Sequence, residues 1–298
     1  MIDLHVHTKY SDGTDDEIEI LKKAEEMDLT YIAITDHNNC KVYDKLSQFD
    51  ISKYFSGNII SGVELNTKVL GIPIEILGYG VNPDIINELT SKIYLTAEER
   101  NKLEMKRIYE KCVEKNIDLG ENFVENYDAK MYTSKYFHKI ITQKEENRKF
   151  ISDEDAWNDS NVFYRKYMSN PESLFFVDTN DILPDFKKAS DIIRKAGGLV
   201  FIPHIHEYRD NSTKILDYIL ENYEFDGIEC YYTTFSDEQT EKLVELCKKR
   251  NLFISGGSDY HGANKPNVKM AIGKGDLRIP IDIIKDWINK IELYYAKN

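Results

Sequence analysis

An α/β fold is what this sequence predicts, and three observations carry the prediction. Apolar runs of strand length alternate with segments of helical period through residues 1–82 and again from 181 onward, the rhythm of parallel strand pairing. Metal-binding side chains occupy six short stretches, most of which close such an apolar run: His5-Val6-His7, Ser11-Asp12-Gly13, Thr35-Asp36-His37, Gly62-Val63-Glu64, Pro203-His204-Ile205-His206 and Ser258-Asp259-Tyr260-His261. Six of the seven histidines fall inside them, as a ring of strand ends converging on a metal cluster would require. Residues 83–180 turn instead to Lys, Glu, Asn and Tyr, are largely helical in period and hold none of these stretches; too long for a loop, they read as a helical insertion.

Each element has its own local reason. Residues 2–7 alternate as a strand. Asp15-Asp16-Glu17 opens a helix whose apolar face is Ile18, Ile20, Leu21 and Ala24, with acids at the positive end of its dipole. Residues 31–35 form a short strand ending at Asp36-His37, 42–49 look helical, 58–64 form a third strand, and 68–80 read as a hairpin turning at Gly71-Ile72-Pro73. The insertion shows helical period over 93–112 and 135–142. A helix over 181–196 is closed by Gly197-Gly198. Strands over 199–205, 225–232 and 252–258 alternate with helices around 213–220 and 237–249, and 281–294 read as a final amphipathic helix.

Composition narrows the function. Asp+Glu of 52 against Lys+Arg of 39 gives a net charge of −13 and a pI near 5.1. That balance argues against stable binding of duplex nucleic acid or of an anionic membrane, which need basic patches. A nucleotide in a pocket remains open, because bound cations can reverse the local field. Cys40, Cys112, Cys230 and Cys247 lack CxxC spacing and read as free thiols of a reducing cytosol. No apolar run approaches 18 residues and no signal-peptide pattern opens the chain, so a soluble cytoplasmic protein is expected.

His5 and His7 stand two apart on a strand and face one side, where they can share one ion. Asp36 faces away from His37 and suits a supporting or helix-capping role, not a ligand role. Glu229 closes another strand as a candidate partner of a ligand. Tyr231 and Tyr232 after it suit either core packing or stacking on a base or sugar.

Taken in order, His-x-His-(x)4-Asp-Gly, Thr-Asp-His, Gly-Val-Glu, a later Pro-His and Gly-Ser-Asp-Tyr-His-Gly resemble the PHP (polymerase and histidinol phosphatase) family, across about residues 1–82 and 185–275. The resemblance implies a distorted (β/α)7 TIM-like barrel with a helical insertion. Its parts are 1–82 and 181–298 as barrel and 83–180 as cap. It implies two or three divalent ions (Mn, Fe or Zn, with Mg admissible) that hydrolyse phosphoesters. One ion falls to His5, His7, Glu64 and Asp259, a second to Asp12, His37 and His261, and a third to Glu64, His204 and position 75. Asp12, the Leu-Gly-Tyr-Gly after the third strand and the long insertion look most like the branch of nucleoside 3′,5′-bisphosphate phosphatases and 5′-3′ oligonucleotide exonucleases. The family usually has His where this chain has Glu75. A carboxylate there is either a harder ligand that favours Mn or Mg over Zn, or a solvated hairpin residue with the third ion lost.

Other residues could touch the substrate. His206, two beyond His204 and so on one strand face with it, suits either a general acid for the leaving oxygen and a phosphate contact, or packing. In the insertion, Lys135 and His138 stand where the branch often has Arg-Pro-His. They suit substrate binding, with His138 also a candidate catalytic group, or an ordinary surface position.

These readings point to a metal-dependent hydrolase of a phosphomonoester on a small metabolite, most simply a nucleotide. A 5′-3′ exonuclease on short RNA or DNA is the alternative, and Lys130, Lys135, Lys139, Lys144, Arg148 and Lys149 give the insertion some basic character for it. Histidinol-phosphatase-like activity and a non-catalytic metal-binding module are further alternatives.

Overall fold

Seven strands line up in the sheet in the order in which the chain makes them. The computed structural model describes residues 1–129 and 131–297; Lys130, counted above among the basic residues, lies outside them. The strands are β1 (Ile2–Val6), β2 (Tyr31–Ile34), β3 (Asn58–Val69), β4 (Ile72–Tyr79), β5 (Leu199–Ile202), β6 (Gly227–Tyr232) and β7 (Phe253–Gly257). Pairing is parallel from β1 to β3 and from β5 to β7, while β4 runs antiparallel to both β3 and β5. The ring is drawn together where Asp259 N donates to His5 O and His7 N to Tyr260 O, each at 2.8 Å. This is a nearly closed seven-stranded α/β barrel, the distorted TIM-like form expected.

The helices are α1 (Glu17–Glu26), α2 (Lys41–Leu46), α3 (Pro83–Thr90), α4 (Ala97–Glu114), α5 (Thr133–Ile141), α6 (Glu154–Asn158), α7 (Ser160–Phe163), α8 (Phe186–Lys195), α9 (Ser212–Asn222) and α10 (Asp237–Arg250). Helix α1 shows the local logic. Asp16 accepts from Ile18 N and Glu19 N, Glu19 returns to Asp16 N, and Ile20, Leu21 and Ala24 are buried.

The chain divides into two compact units, Met1–Ile93 with Leu183–Asn298, and Tyr94–Ile182. The first holds the barrel, whose apolar interior includes Leu4, Leu77, Tyr79, Phe201 and Trp287. The second is helical and buries a core of its own around Phe137, Phe163 and Phe175, with ring centroids 5.4–5.7 Å apart.

Three expectations are corrected. The hairpin turns at Leu70 and Gly71, one step earlier than placed, and both residues adopt positive φ (53° and 77°), so β3 continues to Val69. Strand β5 stops at Ile202, because Pro203 lacks a ladder donor and His204 takes a left-handed φ of 26°. Residues 281–294 form no continuous helix: two short 3-10 turns, Ile281–Ile284 and Ile288–Lys290, give way to extended chain at Ile291. Tertiary contacts override the helical period there. Trp287 stacks on Tyr79 at 5.5 Å and donates to Ile254 O at 2.9 Å, and Tyr295 pairs antiparallel with Ile59, which needs extended backbone.

Candidate metal centre

Strict alternation along β1 would send Leu4 and His5 to opposite sides. The strand avoids this with one extra residue. Asp3 pairs with Ile32, but Val6 pairs with Ile34, so three steps of β1 face two of β2. Ile2 and Leu4 thereby join the apolar interior while His5 and His7, of opposite parity, turn to the strand ends. The same device recurs in β6, where the register shifts between Glu229 and Tyr231. Glu229 and Tyr232, three residues apart, both reach the site: one bonds His5, the other Asp259. Two further site residues rest on strained backbone, His204 (φ 26°) and Asp259 (φ 57°), a conformation that costs energy outside glycine and recurs at functional sites.

All nine residues anticipated as metal ligands come together. His5 Nε2 lies 3.1 Å from His7 Nε2, 3.2 Å from Glu64 Oε2 and 3.6 Å from Asp259 Oδ1; His7 Nε2 lies 3.2 and 3.3 Å from the same two oxygens. Next to this set, Asp12 reaches His261 Nε2 at 3.2 Å and His37 Nε2 at 3.6 Å, with His7 Nδ1 at 3.5 Å. On the other side, His204 Nε2 is 2.9 Å from Glu64 Oε1 and 3.5 Å from Glu75 Oε2, and His37 Nδ1 is 3.9 Å from Glu75 Oε1. Glu64 stands between the sets, with one oxygen toward His5 and His7 and the other toward His204. Glu75 turns into the cluster and is no solvated hairpin residue.

These distances fit divalent cations. A tetrahedral ion with ligands at about 2.0–2.1 Å holds them about 3.4 Å from one another. The three contacts among His5, His7 and Glu64, at 3.1–3.2 Å, lie near that value, and Asp259 Oδ1 stands beside both histidines at 3.3 and 3.6 Å. The imidazoles are also oriented for it. Glu229 accepts from His5 Nδ1–H at 3.0 Å and the Asp259 carbonyl accepts from His261 Nδ1–H at 2.9 Å, which leaves each Nε2 lone pair pointing inward. His37 Nδ1 and His204 Nδ1 are buried without a hydrogen-bond partner.

The charges show the same need. Burial, with Glu64 beside it, raises Glu75 to about 7. Burial lowers His37 to about 4. Burial opposes a charge on His7 and His204 as well. There the neighbouring carboxylates win: Asp259 and Glu64 raise His7 to about 10, and Glu64 and Glu75 raise His204 to about 9. Without cations, protons on histidine balance a crowd of buried carboxylates.

Supporting residues hold the ligands. Asp36, fully buried, accepts from Thr8 N at 2.8 Å, Thr8 Oγ1 at 2.6 Å and Ser11 Oγ at 2.6 Å, tying down the loop that carries Asp12. Asp259 Oδ2 accepts from Tyr232 OH at 2.6 Å and from Lys265 at 2.5 Å. Asp3 was missed by sequence reasoning. It gathers Ser258 N and Oγ, Ala271 N and His5 N, and so pins the Asp259 loop to β1. Its position two before His5 was the available signal. Lys265 carried none, since a lysine six residues past a ligand is ordinary.

The substrate-side candidates lie elsewhere. His206 is not on a strand with His204; it sits in the 3-10 turn Ile205–Asn211, its ring edge-on to Phe235 at 4.9 Å and its Nε2 buried without a partner. In the helical unit, His138 Nε2–H meets Ala156 O at 3.0 Å and Trp157 O at 3.1 Å, and Lys135 Nζ lies 5.6 Å from the Tyr132 ring centre. Tyr232 proves to be a partner of Asp259. Among the described residues no helix is long and apolar enough to cross a membrane.

This chain is similar in sequence or fold to known proteins. It is 25% identical over 266 residues to 5'-3' exoribonuclease Rnm of Escherichia coli, with 87% of this chain and 84% of that protein covered. It is 22% identical over 273 residues to phosphoribosyl 1,2-cyclic phosphate 1,2-diphosphodiesterase of Eggerthella lenta, covering 87% and 94%. In fold it resembles a protein of Bifidobacterium adolescentis assigned as a metal-dependent phosphoesterase, with a TM-score of 0.66, 19% identity, and 98% and 96% of the two chains covered. A model of the PHP domain matches residues 3–155, half of the chain, and the chain belongs to that family of metal-dependent phosphoesterases.

Proposed function

We propose that this protein hydrolyses a phosphoester of a nucleotide, in the leading reading a phosphomonoester of a nucleoside bisphosphate-like compound. The observation that carries the reading is the convergence of His5, His7 and Glu64, each pair 3.1–3.2 Å apart, with Asp259 Oδ1 beside both histidines at 3.3 and 3.6 Å. Asp12, His37 and His261 would hold a second ion, and Glu64, Glu75 and His204 a third. When bound, such ions acidify the attacking water and oppose the negative charge on the phosphoryl oxygens.

The chain's own residues orient and balance this site. Glu229 keeps the His5 proton on Nδ1, Asp36 steadies the loop of Asp12, and Tyr232 with Lys265 hold the outer oxygen of Asp259. The Asp12 side chain is 54% exposed, which suits a phosphate entering from that side. His206 packs edge-on to Phe235 and burial lowers its pKa, so of the two roles weighed for it packing is the one retained. His138 and Lys135 are the candidate substrate contacts of the insertion. The mixed donor set, five imidazoles and four carboxylates, suits Mn, Fe or Zn, with Mg admissible.

The second reading, a 5′-3′ exonuclease on short RNA, is favoured by the relatives named exoribonucleases. One experiment separates the two. Purified protein is assayed for metal content, then screened with added Mn²⁺ against nucleoside 3′,5′-bisphosphates, histidinol phosphate, cyclic phosphates and short 5′-phosphorylated RNA. Release from bisphosphates alone supports the first reading and stepwise shortening of RNA the second. Full metal loading with neither phosphate release from any compound nor shortening of RNA would overturn both.

A further inference from the structure

The helical unit contains a cavity of about 430 Å³, within the usual range of small-ligand pockets. Tyr132 and Tyr164 line it, together with Asn101, Glu104, Ser134 and Lys135. Both tyrosines are unusually bare, at 71% and 48% exposure, and Met131 beside them is 44% exposed. The unit does not lack a core in which to place rings, since it buries Phe123, Phe137, Phe163 and Phe175. Two tyrosine rings are thus left at one opening, with Lys135 Nζ over one face of Tyr132 at 5.6 Å, while their neighbours are packed away.

The lining chemistry narrows the occupant. One cation, Lys135, stands against one carboxyl, Glu104, so the pocket offers a bare anion little net attraction. What remains is aromatic surface for stacking, the Asn101 amide, whose Nδ2 donates to Ala129 O at 2.9 Å and whose oxygen can accept, a hydroxyl, and a carboxyl held by Thr133 that can accept from an exocyclic amine. A flat, neutral, hydrogen-bonding ring matches that set, and a helix or a strand of protein would not enter so small a space. We infer that this pocket binds a nucleobase of single-stranded RNA, by stacking on Tyr132 and Tyr164 and by edge contacts to Asn101 and Glu104.

The inference rests on the second reading above, an exonuclease on short RNA, and favours a substrate longer than one nucleotide. Binding is measured on the full chain with metals chelated, so that no cleavage occurs, using a fluorescently labelled 5′-phosphorylated RNA pentamer. Stacking on an aromatic side chain is strong enough that losing one ring weakens binding by on the order of tenfold. Tyr132→Ala and Tyr164→Ala are each expected to show that loss, with Phe at either position restoring most of it. A pentamer carrying 5-iodouridine is expected to photocrosslink to Tyr132 or Tyr164. Equal affinity of wild type and both Ala variants, or crosslinks confined to other peptides, would overturn the inference. So would a wild type that binds no pentamer, whereas the exonuclease reading itself falls only with the turnover screen.

Discussion

Glu229 accepts from His5 Nδ1 at 3.0 Å and from His204 N at 2.9 Å, so one buried carboxylate at the end of β6 aligns two residues of the candidate metal centre. Neither residue is near it in sequence. Removing the acceptor frees the His5 ring to turn and to move its proton onto Nε2. Glu229→Ala is therefore expected to lower Mn²⁺ affinity by about 10- to 100-fold, the usual effect of losing such a partner. Calorimetric titration of the metal-stripped variant checks this, and unchanged affinity would show that packing alone fixes His5.

Glu75 gives a pH signature to the metal-free protein. Its folded pKa of about 7 stands above the ordinary 4.5, so the folded state holds a proton that the unfolded state has released. Between about pH 4.5 and 7, rising pH therefore costs stability at this residue, and above 7 the full cost is present. In the presence of a chelator, Glu75→Gln is expected to unfold at a higher temperature than wild type at pH 8 and at the same temperature near pH 4. With Mn²⁺ present, the same variant is expected to bind one ion fewer. A variant less stable than wild type at pH 8 without metal, or with full metal content, would contradict this account.

Asp36 satisfies two buried donors, Thr8 N and Thr8 Oγ1, and also accepts from the half-buried Ser11 Oγ. Each donor orphaned in the interior costs about 1–3 kcal/mol. Asp36→Ala is expected to lose at least ~2 kcal/mol of stability in urea melts and to weaken binding at the ion nearest Asp12. Asp36→Asn, which keeps one acceptor oxygen, is expected to fall between. Wild-type stability in the Ala variant would mean that water replaces the carboxylate without cost.

Gly257 sits against β1, and a Cβ added there would lie 2.2 Å from His5 Cβ and 2.6 Å from His5 N. Those atoms belong to the strand that carries two ligands, so they cannot yield without opening the ring. Gly257→Ala is expected to lower the melting temperature by several degrees and to reduce metal content. Gly71→Ala, where a Cβ meets nothing within 4 Å but φ is 77°, serves as a comparison that strains only the backbone. Normal metal loading in Gly257→Ala would show that β1 and β7 can separate without disturbing the site.

The convergence of nine donor residues was legible in the sequence because metal binding restricts side-chain chemistry, and His, Asp and Glu closing apolar runs are rare enough to stand out. The α/β alternation was legible too, since periods of 2 and 3.6 are properties of the local chain. What the sequence could not carry is whatever depends on where distant backbone lies. The extra residue in β1 that turns His5 inward is a matter of register with β2, and no spacing within residues 2–7 reveals it. Residues 281–294 have a helical period, yet the burial of Trp287 and the pairing of Tyr295 with Ile59 outweigh that modest local preference. His206 shares a parity with His204, but the left-handed turn at His204 sends it toward Phe235. Sequence by itself determined which atoms could hold cations, whereas the tertiary fold decided how they are aimed, because bulges, strained turns and buried partners such as Glu229, Asp36 and Asp3 exist only once the strands have met.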